Sequence, residues 1–197
     1  MNSTCSELEC SAPAVCRGFC GRHYRRRNVA GTLPPKKTLR EVLGQGVRVG
    51  PVPAIAPELG PCLIWTGKPD KAGYGHRTWE GIRHYAHRLA WIAYCGPIPD
   101  GHDIDHRCHV TMCIRVDHLR PTTRSENLQN RAGATRGNSS SRHRGVSYSK
   151  RDRRWVAKAK RRGVTYSGGS YLTEQEAADA ARELRLRLHT HNDVDRR

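Results

Sequence analysis

The chain has 197 residues, of which 36% are hydrophobic and only one is Phe, so it lacks the apolar material for one large core and points to two or three small domains. Its 35 Lys and Arg against 18 Asp and Glu give a formal charge of +17, which selects a polyanionic partner, because neutralised phosphates release their condensed counterions. No apolar run approaches membrane-spanning length and no basic helix carries a large apolar face, so nucleic acid is expected as the partner rather than a membrane.

The first block, residues 1–27, is Cys-rich and ends in the basic run Arg25–Arg27. Its opening "MNSTCSELEC" has no apolar core of a secretory signal, so a cytoplasmic location is expected, in the host cell if the gene belongs to a phage. The eight cysteines of the chain fall in short-spaced pairs beside histidines, which suits zinc better than disulfides. Cys5, Cys10, Cys16, Cys20 and His23 are five candidate ligands where tetrahedral zinc needs four. The pattern "C-x4-C…GFCGRHYRR" resembles the small fingers at the start of many phage DNA-binding proteins. That resemblance favours Cys5, Cys10, Cys20 and His23 as the zinc set and leaves Cys16 spare.

Residues 28–60 hold Gly together with Pro34, Pro35, Pro51, Pro53 and Pro57, which reads as a linker with one short helix near Leu39–Leu43. The block 61–131 follows. "RHYAHRLAWIAY" (83–94) has helical periodicity, with Ala86, Leu89 and Ala90 on one apolar face. His84, His87 and Arg88 on this segment read equally as packing residues or DNA contacts.

The stretch "DIDHRCHVTMCIRVDHL" (103–119) packs Asp, His and Cys with few core-forming residues. "HDIDH" is β-prone, "DHLRP" is a second β-prone run expected to stop at Pro121, and Thr123-x-x-Glu126 is a capping box opening a helix. Two ligand sets separate by chemistry. Cys108, Cys113 and His118 are soft donors suited to structural zinc, with Cys62 or Cys95 as the fourth. Asp105 and Asn127 offer hard oxygens suited to Mg²⁺ or another divalent ion. His106 points to the strand face opposite Asp105, and an imidazole is a suitable general base near neutral pH.

Asp105-His106, His118 and Asn127 resemble the HNH nuclease motif of the ββα-metal fold. Cys108, Cys113 and His118 are similar to the zinc-braced loop of His-Cys-box homing endonucleases. The flanks "CLIWTG…GYG", "AHRLAW" and "GPIPDG" resemble phage HNH proteins, although "CIRVDHL" departs from the usual Cys-x-Asn-Pro-x-His-Leu. The resemblance implies Mg²⁺-dependent cleavage of double-stranded DNA. It gives His106 the role of base, makes Asp105 and Asn127 the metal ligands, and makes His118 a zinc ligand. A non-catalytic DNA-binding regulator that keeps the scaffold is the alternative.

"AGATRGNSSS" (132–141) reads as a second linker. From Arg136 to Arg162 eleven Lys and Arg stand against one acid, Asp152. In "RWVAKAK" alternation puts Trp155, Ala157 and Ala159 on one strand face and Arg154, Lys158 and Lys160 on the other. "RGVSYSK" and "VTYSGGSYL" are flanking β-prone runs. Thr173-x-x-Glu176 caps a helix whose Ala177, Ala181, Leu184 and Leu188 are expected to cover the Trp155 face. Residues 142–191 resemble the AP2 DNA-binding domain, though Lys158 stands where that family commonly has an acid. The resemblance implies DNA contacts at Arg144, Ser147, Arg154, Lys158, Lys160, Thr165 and Ser167. The expected architecture is therefore α+β: a small zinc finger, a ββα-metal nuclease domain, and a three-stranded sheet plus helix.

Overall fold

A computed structural model describes residues 3–32, 37–131, 133 and 140–196. Pro34 and Pro35 of the first expected linker, and residues 132 and 134–139 of the second, lie outside the described residues. The chain divides into two compact units, Met1–Val42 and Leu43–Arg197.

The first unit is a loop closed on a helix. Arg17 and Gly18, at φ 49° and 81°, turn the chain so that Cys16 bridges to Phe19. Helix α1 (Gly21–Val29) starts immediately after Cys20. Among the described residues the unit's buried apolar centre is Cys5, Phe19 and Cys20, with Cys10, Ala12 and Tyr24 packed against it. Arg27 lies 4.8 Å over the Phe19 ring and pairs with Glu7 at 2.9 Å. So small a centre needs a further cross-link to hold together. Helix α2 (Leu39–Gly44) begins on a capping box in which Thr38 and Glu41 bond reciprocally.

In the second unit, residues 43–60, read from composition as linker, are folded. Leu43 is buried, and β1 (Val47–Val49) pairs antiparallel with β2 (Leu63–Trp65). β3 (His76–Trp79) and β4 (Ile82–Tyr85) form a hairpin. Its two-residue turn, Glu80 and Gly81, has φ 51° and 80°, the positive pair that matches strand twist. This turn draws Arg83–Tyr85 out of the helix expected over 83–94, and α3 runs from Ala86 to Cys95 instead. Ala86, Leu89 and Ala90 are buried as the periodicity requires, and His87 is buried with them.

β5 (His102–His106) pairs antiparallel with β6 (Leu119–Thr123). The second strand starts two residues later than expected, with Val116–His118 forming a single 3₁₀ turn before it. It also continues past Pro121, which lies opposite Ile104. β6 pairs on one side only, so an imino nitrogen facing outward costs no ladder bond. Helix α4 (Arg124–Gln129) starts on the expected Thr123–Glu126 capping box.

The last block is the sheet β7 (Val146–Ser149), β8 (Arg154–Arg161), β9 (Val164–Tyr171), covered by α5 (Glu174–Leu188). Val146, Ala157, Ala177 and Ala181 form its core, with small residues letting the helix approach closely. Trp155 is only partly buried at the edge of this core, where its ring packs on Tyr148 at 5.1 Å. Gly145 (φ 80°) is obligatory, because a Cβ there would run into the Lys158 carbonyl.

This block is fastened to the nuclease-like one. The Arg144 guanidinium donates to the carbonyls of Leu128, Gln129 and Arg131, at 3.0, 2.8 and 2.9 Å, filling acceptors at the end of α4. Past α5 the chain is held by Arg185, which grips Asp195 through Nε and Nη2 at 2.6 and 2.8 Å with both side chains nearly buried. Burial pushes the Asp195 carboxyl up, but the hydrogen bonds from Arg185 and Asn192 hold it below the usual carboxylate range. A depressed folded value means this stabilisation is present at neutral pH and is lost as pH falls through it. Asp195→Asn should therefore cost about 3 kcal/mol, roughly 6–12 °C in Tm at pH 7, and should weaken the acid dependence of unfolding. Thermal melts at pH 7 and pH 3 check both effects; an unchanged Tm at pH 7 would sink the assignment.

Candidate active site and metal centres

Two clusters of soft donors assemble. In the first unit Cys5, Cys10, Cys20 and His23 bring their ligand atoms within 4.8 Å of one another. Cys20 is the residue before α1 and His23 lies one turn in, so both face the same side. His23 Nδ1 is 3.4 Å from the sulfurs of Cys5 and of Cys20. Cys16 is exposed and stays outside the set.

In the second unit Cys62, Cys108, Cys113 and His118 form the other cluster, all buried. Cys62 completes it; Cys95 is exposed at the end of α3. His118 Nδ1 lies 3.5 Å from the sulfurs of both Cys62 and Cys113. Its Nε2 donates to the Leu59 carbonyl at 2.9 Å, which turns the Nδ1 lone pair toward the thiols. Zn–S and Zn–N bonds of about 2.3 and 2.0 Å at the tetrahedral angle give an S···N edge of roughly 3.5 Å. Both clusters have that edge, and both donor sets fit a structural zinc. The three thiols do not share a proton affinity: the Cys108 hydrogen bond pulls Cys113 down to about 5, while burial pushes Cys62 up to about 11.

The second cluster reaches the cleft beside it through one backbone group. His106 Nε2 lies 3.0 Å from the Cys113 carbonyl oxygen. A carbonyl only accepts, so Nε2 carries the proton and Nδ1 keeps a lone pair. Burial lowers the His106 pKa, which favours this neutral form. The ring is packed by His87, 4.6 Å away centroid to centroid, and by Tyr74 at 6.0 Å. Burial pushes His87 down to about 3, so it too is neutral.

Asp105, the preceding residue, points the other way along β5. Its Oδ2 accepts from Arg120 Nε and Nη2 at 3.1 and 2.9 Å and from Asn130 Nδ2 at 3.0 Å. Its Oδ1 has no hydrogen-bond partner among the described residues. Asn127 reaches Asp103, at 3.4 Å, rather than Asp105. Asp105, His106, Asn127 and Asn130 nevertheless line one cleft of about 410 Å³, with Arg124 and Arg131 at its rim. An unpartnered carboxylate oxygen and an amide on the same cleft fit a hard divalent ion.

Three residues of this site were not singled out in the sequence. Asn130 sits three residues after Asn127, a helical spacing that places both near one face, and that spacing was a usable signal. Arg120 is opposite Asp105 only through the β5–β6 register. Asp193 pairs with Arg120, and its backbone N–H donates to Asn130 Oδ1 at 3.1 Å, from far along the chain.

On the sheet, Lys158 lies opposite Ser167 and Lys160 opposite Thr165, so cross-strand pairing puts all four on one face, the polar one. Arg154 is exposed near the start of β8 and Ser147 sits on β7 opposite Val156. Arg144 is elsewhere, its guanidinium committed to the end of α4.

Comparison with known proteins adds a family. Residues 84–129 match the HNH endonuclease family model. The match takes in α3, β5, β6 and α4, hence Asp105, His106, Cys108, Cys113, His118 and Asn127, but neither Cys62 nor the sheet. Protein 7.7 of Escherichia phage T7 is 31% identical over 68 residues, 34% of this chain and 52% of that protein. The uncharacterized gene 5.3 protein of Enterobacteria phage T3 is 52% identical over 33 residues, 17% of this chain and 33% of that protein. The chain thus spans about half the length of one of these relatives and a third of the other. No solved structure matches it.

Metal analysis of the purified protein should find two zinc ions per chain. Cys5→Ser should remove one and Cys108→Ser the other, because each cluster loses a quarter of its donors. One zinc in the wild type, or two retained in the Cys108→Ser variant, would contradict this assignment.

Proposed function

With an HNH endonuclease domain at residues 84–129, we propose that the protein is a homing-type endonuclease that hydrolyses phosphodiester bonds of double-stranded DNA. The observation that carries the reading is the His106 tautomer. Its Nε2–H is spent on the Cys113 carbonyl, which leaves Nδ1 a lone pair, and His106 and Asp105 line the same cleft.

In this mechanism His106 Nδ1 takes a proton from water as the water oxygen bonds to phosphorus and the P–O bond to the leaving oxygen breaks. Asp105 and Asn127 would hold a divalent ion such as Mg²⁺, which would supply charge stabilisation at the scissile phosphate. Arg120 and Asn130 fix the Asp105 carboxylate by bonding its Oδ2. The two Cys₃His clusters would hold zinc as structural braces. The polar face of the β7–β9 sheet, AP2-like in pattern, binds the DNA, and the formal charge of +17 supports such a partner. Among the described residues no helix is long and apolar enough to cross a membrane. We place the activity in the host cell of a phage, since the relatives named above are phage proteins.

His106→Ala should slow cleavage by about 10²–10⁴-fold while DNA affinity stays near wild type, since the base acts on the water and not on the DNA. End mapping on phage and host genomic DNA with Mg²⁺, beside a binding assay without added Mg²⁺, makes the measurement. A variant that cuts at the wild-type rate removes His106 as base. Wild type that binds DNA and leaves it intact points to the non-catalytic regulator instead.

A further inference from the structure

A groove of about 620 Å³ lies between α4 and the β8–β9 hairpin. Arg124 and Arg131 wall it on the α4 side, and Lys158, Lys160, Arg162 and Thr165 wall it on the sheet side. Arg131, Lys158, Lys160 and Arg162 have no carboxylate partner among the described residues. Arg124 makes only an exposed contact of 3.4 Å with Asp103. No acidic residue lines the groove. Unpaired charges of one sign along a concave wall raise the local concentration of an oppositely charged ligand.

The shape argues for a long polyanion over a small anion. Arg124, Leu128 and Arg131 line both this groove and the cleft of Asp105 and His106, so the basic lining extends from one to the other. The two walls are also fastened together. Arg144 bonds three carbonyls at the end of α4, and Gln129 Oε1 accepts from the Thr190 backbone N–H at 3.0 Å, just past α5. The sheet is therefore not a module swinging on a linker.

We propose that the two clefts form a single seat for one DNA backbone, running from Asp105 and His106 along α4 to the β8–β9 hairpin, so that the cut falls at a fixed short offset from the sheet's contacts. The proposal rests on the nuclease reading above. Helix α4 has six residues, about 9 Å, or roughly three base-pair rises of duplex. The cut then lies inside the sheet's own footprint. A tethered module would leave it separate and scattered.

The test uses the full chain, a fluorescein-labelled 40-base-pair duplex, and the double variant Lys160→Gln/Arg162→Gln. Both residues are exposed, so the variant should melt and bind zinc like wild type. Without added Mg²⁺ its Kd should rise about tenfold at moderate salt, and the slope of log Kd against log salt should flatten by about two, one for each lost phosphate contact. Hydroxyl-radical footprinting and Mg²⁺ cut mapping on one duplex should put the cut within the protected stretch, at one offset. Unchanged Kd and salt slope, or cuts scattered outside the footprint, would overturn the proposal. Wild type that binds but never cuts would overturn the nuclease reading, and the variant's affinity would still decide the groove.

Discussion

Cys113 ties the Cys₃His cluster to the cleft lined by Asp105 and His106. Its sulfur stands 3.5 Å from His118 Nδ1, and its carbonyl receives the His106 Nε2–H at 3.0 Å. The loop between β5 and β6 buries little apolar material beyond Ile114 and the cysteines themselves, so hydrophobic burial alone fixes that carbonyl weakly. Four buried donors that converge on one point can fix it firmly, once a metal ion sits at the centre of their tetrahedron. Losing the cluster would free the loop and with it the tautomer of His106.

A second constraint is electrostatic. Asp105 is nearly buried, and a buried carboxylate must be paired. Arg120 pairs it and bridges onward to Asp193, while Asn130 bonds Asp105 with its amide N–H and the Asp193 backbone with its oxygen. The cleft residues are thus supported by a segment beyond α5. Together with Arg144 this makes the sheet and the HNH segment one polar-bonded assembly, held by directional bonds where the chain has few apolar residues to spend.

Much of the local structure was legible because local physics writes it. Both capping boxes, Thr123–Glu126 and Thr173–Glu176, form as their spacing requires. Alternation along "RWVAKAK" sorted buried Ala157 and Ala159 from exposed Lys158 and Lys160. The errors lie where a neighbour in space overrode a local pattern. The Glu80–Gly81 turn recruited Arg83–Tyr85 into a hairpin, and β2 drew Val47–Val49 out of an apparent linker. The resemblance to AP2 implied a DNA contact at Arg144; its guanidinium instead bonds carbonyls at the end of α4, a segment distant in sequence.

The sequence by itself determined the chemistry on offer: two soft ligand sets, an adjacent Asp-His pair, a strongly basic chain and the helix starts marked by the Thr123 and Thr173 capping boxes. Donor type, charge and capping are properties of residues and their short spacings. Tertiary structure decided which donors meet: Cys62 rather than Cys95, Asn130 beside Asp105, Arg120 opposite it, and Asp193 behind both. Those choices depend on strand register and on contacts between distant segments, and neither is encoded in any short window of the chain.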